Sequence, residues 1–514
     1  MKHKIQSALA VLALVFAGSA APEIKVKWSF TDKNSDVTSH GYGMARDGNG
    51  DFYVVGSQLY SNSPTERYRT CLEKISSFRQ YPDWTRTLNG TGASIYEDSL
   101  KAVAVDPDGW GAVAGGTSWS ATKNGPQAML VFYFYWGATA WIALPDADSV
   151  ESVAVSGGSS SVTSYIYAVG IKKGPAGNNT DIWYAKYAYN GFQLDSQVYI
   201  DPFNVDDGAL AVAVSPAGFV YIAGYRTVAG QGRNIWLGKF DADLNPLWGG
   251  GGEININGPA SSTDFAASIT LGPSGEIYLS GAVTQSATFF LENLDVWVAR
   301  INDNGGSGSL VWSFTMDGGE LDNDAAWGVT VDSSGILWST GSLDTPGSQW
   351  ADLWLGKFSS AGLMLDSWRK DFTGNGDDIG RGIVVSPLGP VVAGYQTDII
   401  AGESLYLAQF WEWFPSPSIP PDFINAYPNP FRPGSGGPND AKEIVIRSLP
   451  PGCVLRFYTL SGALVRQITD WDGNGIISWD AKNDSGKNVG SGVYIFAATA
   501  SGSGTKKGKV VIIR

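Results

Sequence analysis

One short motif returns seven times along this 514-residue chain: a small or aromatic residue, an apolar one, a small one, then glycine. It reads Tyr53-Val54-Val55-Gly56, Ala112-Val113-Ala114-Gly115, Tyr167-Ala168-Val169-Gly170 and Tyr221-Ile222-Ala223-Gly224. It continues as Tyr278-Leu279-Ser280-Gly281, Trp338-Ser339-Thr340-Gly341 and Val391-Val392-Ala393-Gly394. Gly-to-Gly steps of 59, 55, 54, 57, 60 and 53 make seven units of one size. A fixed period of this length is the mark of a repeat architecture.

Each unit carries four strand-like pieces. An apolar strand such as Ala211-Val212-Ala213-Val214 meets a tight turn such as Ser215-Pro216-Ala217-Gly218. Proline and glycine there set a hairpin. The second strand ends at the repeated glycine. The third is clearest as Ile235-Trp236-Leu237-Gly238-Lys239-Phe240. The fourth is marked by Trp84, Trp141, Trp248, Trp312 and Trp368. Four antiparallel strands repeated seven times predict an all-β, seven-bladed propeller over residues 27–414. Tandem sandwiches would have no reason to repeat at this period. The last unit lacks a fourth strand, and a spare one, Lys27-Trp28-Ser29-Phe30, precedes the first unit. The N-terminal strand is therefore expected to complete the last blade and close the ring.

Two columns follow from aligning the units. Cys71, Met129, Trp183, Trp236, Trp297, Trp354 and Tyr406 fall at one place in the third strand, where large side chains fill the wedge between blades. Asp98, Asp148, Asp207, Asp264, Asp324 and Asp377 fall where the innermost strand begins, with Ser39 in the first unit. At the channel mouth they either accept backbone N–H bonds or form a carboxylate ring. Recurrence in every unit favours the structural role. The pattern resembles the secreted bacterial seven-bladed propeller repeats known as SBBP repeats, a likeness that implies a fold rather than a function.

After the Pro/Ser-rich linker 415–421 the pattern changes. Alternating runs at Glu443–Ile446, Val454–Tyr458 and Gly492–Phe496 predict an immunoglobulin-like β-sandwich over residues 422–514. Ala426-Tyr427-Pro428-Asn429-Pro430-Phe431 resembles the opening of FlgD-like immunoglobulin domains and of type IX secretion C-terminal sorting domains. Gly492, Tyr494, Lys509 and Arg514 continue the likeness. It implies recognition by an outer-membrane secretion machinery, with Pro428, Asn429, Pro430 and those four as the sorting motif.

The first 21 residues read as a secretory signal peptide. A basic start precedes the apolar run Ala8 to Ala17, with cleavage expected near Ala20-Ala21. The run is too short for a transmembrane anchor. A secreted or bacterial cell-surface protein is expected.

Composition then excludes several chemistries. Thirty-five basic against 49 acidic residues, a net of −14, argue against nucleic acid as a partner. The two cysteines, Cys71 and Cys453, fall in different domains, so no disulfide is expected. Only His3 and His40 are present, and His3 belongs to the leader, so a triad or a histidine-rich metal site would need His40. Asp470-Trp471-Asp472-Gly473-Asn474-Gly475 and Asp47-Gly48-Asn49-Gly50-Asp51 have calcium-loop spacing. The first lacks the twelfth-position glutamate and the second occupies a hairpin turn, so both read as turns. No metal or cofactor is expected.

Function is expected on the variable loops between second and third strands. Trp119, Tyr225, Arg226, Trp350 and Tyr395 are the candidate binding residues, with Phe289 and Phe290 beside them. The expected function is non-enzymatic binding or adhesion, toward a glycan or protein ligand. The alternatives are a carbohydrate-active hydrolase or lyase using channel-face carboxylates, and a structural envelope module.

Overall fold

The computed structural model describes residues 23–514 except 32–38, 62–66, 77–82, 89–97, 108–110, 121–122, 124, 135–138, 158–163, 175–178, 189–192, 200–204, 250–251, 288–291, 319–322, 345–349, 372–375, 399–401, 414–424, 435–440, 448, 450–452, 471–475 and 501–502. The expected signal peptide, the expected 415–421 linker, Phe289, Phe290 and the segment after Asp470 therefore lie outside the described residues. Every described regular element is a strand. Pro22–Trp413 is one compact unit, and the residues after Trp413 belong to another.

The first unit is a seven-bladed propeller of seven four-stranded antiparallel sheets. Blades one to six each take four consecutive strands. Blade two, for example, runs Ser99–Val105, Gly111–Ser120, Gly125–Phe134 and Thr139–Leu144. Inner strands touch from blade to blade all round, and blade seven meets blade one. Blade seven takes three strands from Ile379–Ser386, Gly389–Asp398 and Gly402–Trp413, and its fourth from the N-terminal strand Glu23–Thr31. Trp28 pairs with Gln409 and Phe30 with Leu407, and the N–H of Ile24 donates to Asp366 of blade six (2.9 Å). One of the expected fourth-strand markers is displaced. Trp248 sits buried in the loop before the strand Ile254–Ile256, its indole N–H bonded to Asp303 (3.3 Å), because blade four inserts extra turns there.

The wedge column explains why blades cohere. Trp183 packs into blade two, Trp236 into blade three, Trp297 into blade four, Trp354 into blade five and Tyr406 into blade six. Met129 fills the same place against blade one. Each inter-blade space is thus its own apolar core. Cys71 and Cys453 are buried free thiols in different units. Burial pushes the Cys453 thiol up to about 11, so it stays protonated at neutral pH.

The second unit is a seven-strand sandwich. A three-stranded sheet (Asn425–Tyr427, Ile444–Arg447, Ile477–Trp479) faces a four-stranded one (Leu464–Thr469, Val454–Thr459, Gly492–Ala500, Ser503–Ile512). One core joins them around Phe457, Trp479 and Phe496, with the first two rings stacked at 4.0 Å.

Candidate functional site: a ring of bulged residues in the channel

The repeated glycine has a single geometric cause. In all seven blades the first and second strands slip register at one place, leaving one residue of the inner strand without a partner. Such a bulge brings two backbones close and re-aims the extra side chain. A Cβ on Gly281 would sit 1.9 Å from the carbonyl oxygen of Phe265, and one on Gly224 2.0 Å from that of Gly208. Only glycine fits that crossing. In blade two the glycine at this crossing is Gly116, whose Cβ would meet Ser99 O at 2.0 Å, not Gly115 as the motif alignment places it. Two adjacent glycines hid the one-residue difference. The third-strand residue opposite each crossing glycine is the wedge residue, as in Gly116 with Met129 and Gly224 with Trp236.

The bulged residues line the central channel. Blades six, seven, one and two supply Trp327, Arg381, Tyr42 and Lys101 as one arc. Blades three, four and five supply Glu151, Leu210 and Ala267 as the other. Together with Ser99 they surround a cavity of about 420 Å³, within the roughly 300–1,000 Å³ range of small-molecule sites. The residue after each bulge is small because it faces the next blade: a Cβ on Gly43 would meet Lys101 O at 2.7 Å.

The ring is electrostatically lopsided. Lys101 Nζ lies 2.5 Å from Glu151 Oε1, and Glu151 also accepts from the Ser149 hydroxyl (2.6 Å), which itself accepts from Thr117 (2.8 Å). This pair neutralises itself. Arg381 instead lies over the indole of Trp327 (4.0 Å to the centroid), whose ring stacks with Phe265 of blade five (5.5 Å). The Tyr395 side chain is hydrogen bonded to the same guanidinium, and burial raises its hydroxyl above the usual range. Arg381 Nε is buried with no acceptor. The cation stands in a strongly acidic body: residues 22–413 hold 22 basic and 42 acidic side chains, a net of −20, whereas residues 414–514 hold 11 and 7, a net of +4.

The carboxylate column does a different job. The backbone N–H groups of Trp119, Lys173, Thr227, Thr284 and Asp344 donate to Asp98, Asp148, Asp207, Asp264 and Asp324 (3.1, 2.6, 2.7, 2.8 and 2.6 Å). Each carboxylate staples the end of its blade's second strand to the start of the first. In blade seven the residue in this place is Asp378, which accepts from Thr397 N–H (2.8 Å). Asp377 is exposed and accepts from Ala351 N–H (3.0 Å), as Asp206 does from Thr180 (3.0 Å) in blade four. The alignment placed Asp377 there because this blade is one residue shorter between carboxylate and glycine.

The five expected loop residues are scattered. None lines the channel cavity. Tyr395 backs Arg381, and Tyr225, held under the Arg233 guanidinium (4.6 Å), stands close enough to Glu151 to feel its charge. Arg226 is bound to Glu253 (3.3 Å), Trp119 is half-buried, and Trp350 is exposed. The seven ring residues share no chemistry in the sequence, and the position two before them (from His40 in blade one to Ile379 in blade seven) varies as freely, so variation alone did not single the ring out. The ring position directly precedes the small residue of runs such as Ala102-Val103-Ala104-Val105.

His40 is buried at the blade one to blade seven seam. Its Nε2 lies 2.5 Å from Glu403 Oε2 and its Nδ1 3.3 Å from Ser57 Oγ, with Tyr395 edge-on at 4.9 Å. The hydrogen bond from His40 holds the Glu403 carboxyl below the usual range. The order inverts that of a serine triad, where Nε2 faces the serine. Ser57 is only 3% exposed, so its hydroxyl faces no substrate. The Asp47–Asp51 segment is a turn: Asp47 Oδ1 accepts from Asn49 and Asp51 N–H (3.0 and 2.8 Å), and Lys74 neutralises Asp51 (3.0 Å). No group of three metal-ligating side chains occurs among the described residues.

In the sandwich, several of the residues expected to form a sorting motif make hydrogen bonds within the domain. Asn429, which precedes Pro430 through a cis bond, donates to Lys509 O (3.0 Å) and accepts from Val511 N–H (2.9 Å). Arg514 donates to Val489 O (2.8 Å) and Ala481 O (3.2 Å), and Tyr494 OH donates to Gly490 O (2.9 Å). Pro428 is buried, and Gly492 is exposed, with the Tyr494 ring 3.9 Å from where its Cβ would stand.

No protein-family model matches the chain, and no curated protein does. Solved structures align with it loosely. PorZ, an essential bacterial surface component of the type IX secretion system of Porphyromonas gingivalis, is 12% identical, covering 92% of this chain and 81% of PorZ, with a TM-score of 0.24. The β-propeller domain of the Trilobed protease from Pyrococcus furiosus is 10% identical over 77% of this chain and 99% of that domain (TM-score 0.37). The acylaminoacyl peptidase of Pyrococcus horikoshii is 9% identical over 79% and 57% (TM-score 0.38). The fold assignment here rests on the chain's own strand order and ring closure.

A second, larger cavity of about 760 Å³ opens at the hairpin-turn end, between blades six and seven. Arg46, Asp332, Trp338 and Lys357 line it, together with turn backbone. It draws on two blades and one neighbouring arginine, whereas the channel cavity draws on all seven.

Proposed function

We propose that the protein is a non-enzymatic binding protein working outside the cell or at its surface. The propeller takes its ligand at the central channel, and the C-terminal sandwich is the module for export or anchoring. The observation that carries this reading is the bulge ring: seven equivalent positions hold seven different residue types around one cavity. Against catalysis stand the buried Ser57 hydroxyl and the column carboxylates already engaged by backbone N–H groups. The sandwich's role rests on its motif resemblance and on the basic, apolar leader.

The test has two arms. The purified protein is incubated with a glycan and small-metabolite library, and both captured and converted compounds are measured. Capture without conversion supports the binding reading; release of reducing ends or other product overturns it. In its own cells, removal of residues 422–514 should hold the propeller in the periplasm. Unchanged surface delivery would remove the export role.

A further inference from the structure

The channel's charge pattern names a ligand class, and the inference rests on the channel-binding reading above. Of the ring's three charges, two cancel: Lys101 and Glu151 are 2.5 Å apart. The third, Arg381, has no carboxylate partner among the described residues. Its contacts are the Trp327 face and Tyr395, and its buried Nε has no acceptor. Arg381 is half-buried and lines the cavity, and leaving its buried Nε without an acceptor is costly. Its position is fixed by its hydrogen bond with Tyr395 and by the Trp327 indole, which is itself stacked on Phe265 and donates its N–H to Ser342 (3.3 Å). A rigid, planar, unneutralised arginine is a preformed receptor for a planar monoanion. Leu210 and Ala267, on blades four and five, are the two ring members without polar side-chain groups.

We propose that the channel binds a small organic monocarboxylate, its carboxylate on Arg381 and its carbon body against Leu210 and Ala267. One uncompensated cation matches one negative charge. A phosphate dianion would bring a second negative charge that Lys101, already paired with Glu151, does not answer. The cavity of about 420 Å³ limits the body to a small molecule.

The experiment is calorimetric titration of the full chain with four probes: hexanoate, glucuronate, glucose and inorganic phosphate. Binding of hexanoate or glucuronate, with glucose and phosphate at least about 100-fold weaker, is expected, because losing a charge-paired arginine contact costs about 3 kcal/mol or more. Hexanoate and glucuronate distinguish an aliphatic from a sugar body. Arg381→Met should lose the binding, and Arg381→Lys should recover part of it without the bidentate fork. Ala267→Trp, which fills the cavity while leaving the Arg381 side chain in place, should block it too, with the melting temperature showing that each variant folds. Equal binding of glucose, tighter binding of phosphate, or full affinity in Arg381→Met overturns the proposal. If Ala267→Trp blocks capture of a neutral compound that Arg381→Met still holds, the carboxylate assignment falls and the channel-binding reading stands. If neither variant alters any capture, both fall.

Discussion

Two columns of residues run round the same propeller and obey opposite rules. The crossing glycine, its wedge partner and the capping carboxylate are nearly constant from blade to blade. The bulged residue one step along the inner strand is different in every blade. Both are products of one backbone event, the register slip between first and second strands. Constancy marks what the blade needs in order to form. Variation marks what the blade is free to offer, and seven such offers meet on one axis.

Substitutions can sharpen or break this division. The largest effect is expected at the crossing: Gly281→Val drives a side chain into the carbonyl of Phe265 and should cost about 4 kcal/mol or more, read as loss of cooperative unfolding near the wild-type midpoint. Next comes the wedge. Trp297→Ala should cost about 3–5 kcal/mol in denaturant unfolding, since the ring fills the core between blades four and five. Asp264→Ala strands the N–H groups of Thr284 and Gly258 and should cost about 2–3 kcal/mol. A wild-type midpoint for any of these three would break the structural assignment of its column.

A pH effect follows in size. Burial, and then Asp317, pushes Asp295 up to about 6; burial, helped by Asp344 and Asp317, pushes Asp324 up to about 7. Both folded values lie above the unfolded one, so between about pH 4 and 7 these two groups hold more protons in the fold than in the unfolded chain. Stability should fall as pH rises through that window, and Asp295→Asn should flatten the part up to about 6. Stability that instead rises across the window would refute both assignments. The smallest effect is expected at the ring: Ala267→Ser should move stability by no more than about 0.5 kcal/mol, because the side chain faces the channel cavity. A loss of several kcal/mol there would erase the distinction between the columns.

The constant column was legible in the sequence for the same reason that it is structural: repetition makes a pattern visible. The seven blades, the borrowed N-terminal strand and the wedge residues could all be read from spacing. Errors of one residue, Gly115 for Gly116 and Asp377 for Asp378, arose where spacing alone had to decide between neighbours, and register decides them instead. The ring was not legible, because a position with no shared chemistry leaves no pattern, and a bulge reverses the face that simple alternation assigns. Loop aromatics such as Trp119 and Trp350 drew attention by residue type, yet the cavity is lined from the inner strands. In the sandwich, Asn429 and Arg514 carry a motif resemblance, and their hydrogen bonds give them a structural purpose as well.

The seam between Glu23–Thr31 and Gly402–Trp413 joins strands nearly the whole propeller apart in sequence. Until the last blade exists, the first strand has nowhere to go, and the nascent assembly carries open hydrogen-bonding edges that invite wrong partners. Closure thus works as a completeness check: a chain broken off before Gly402 leaves its opening strand unclaimed, and such a fragment presents itself to proteases and chaperones as unfinished.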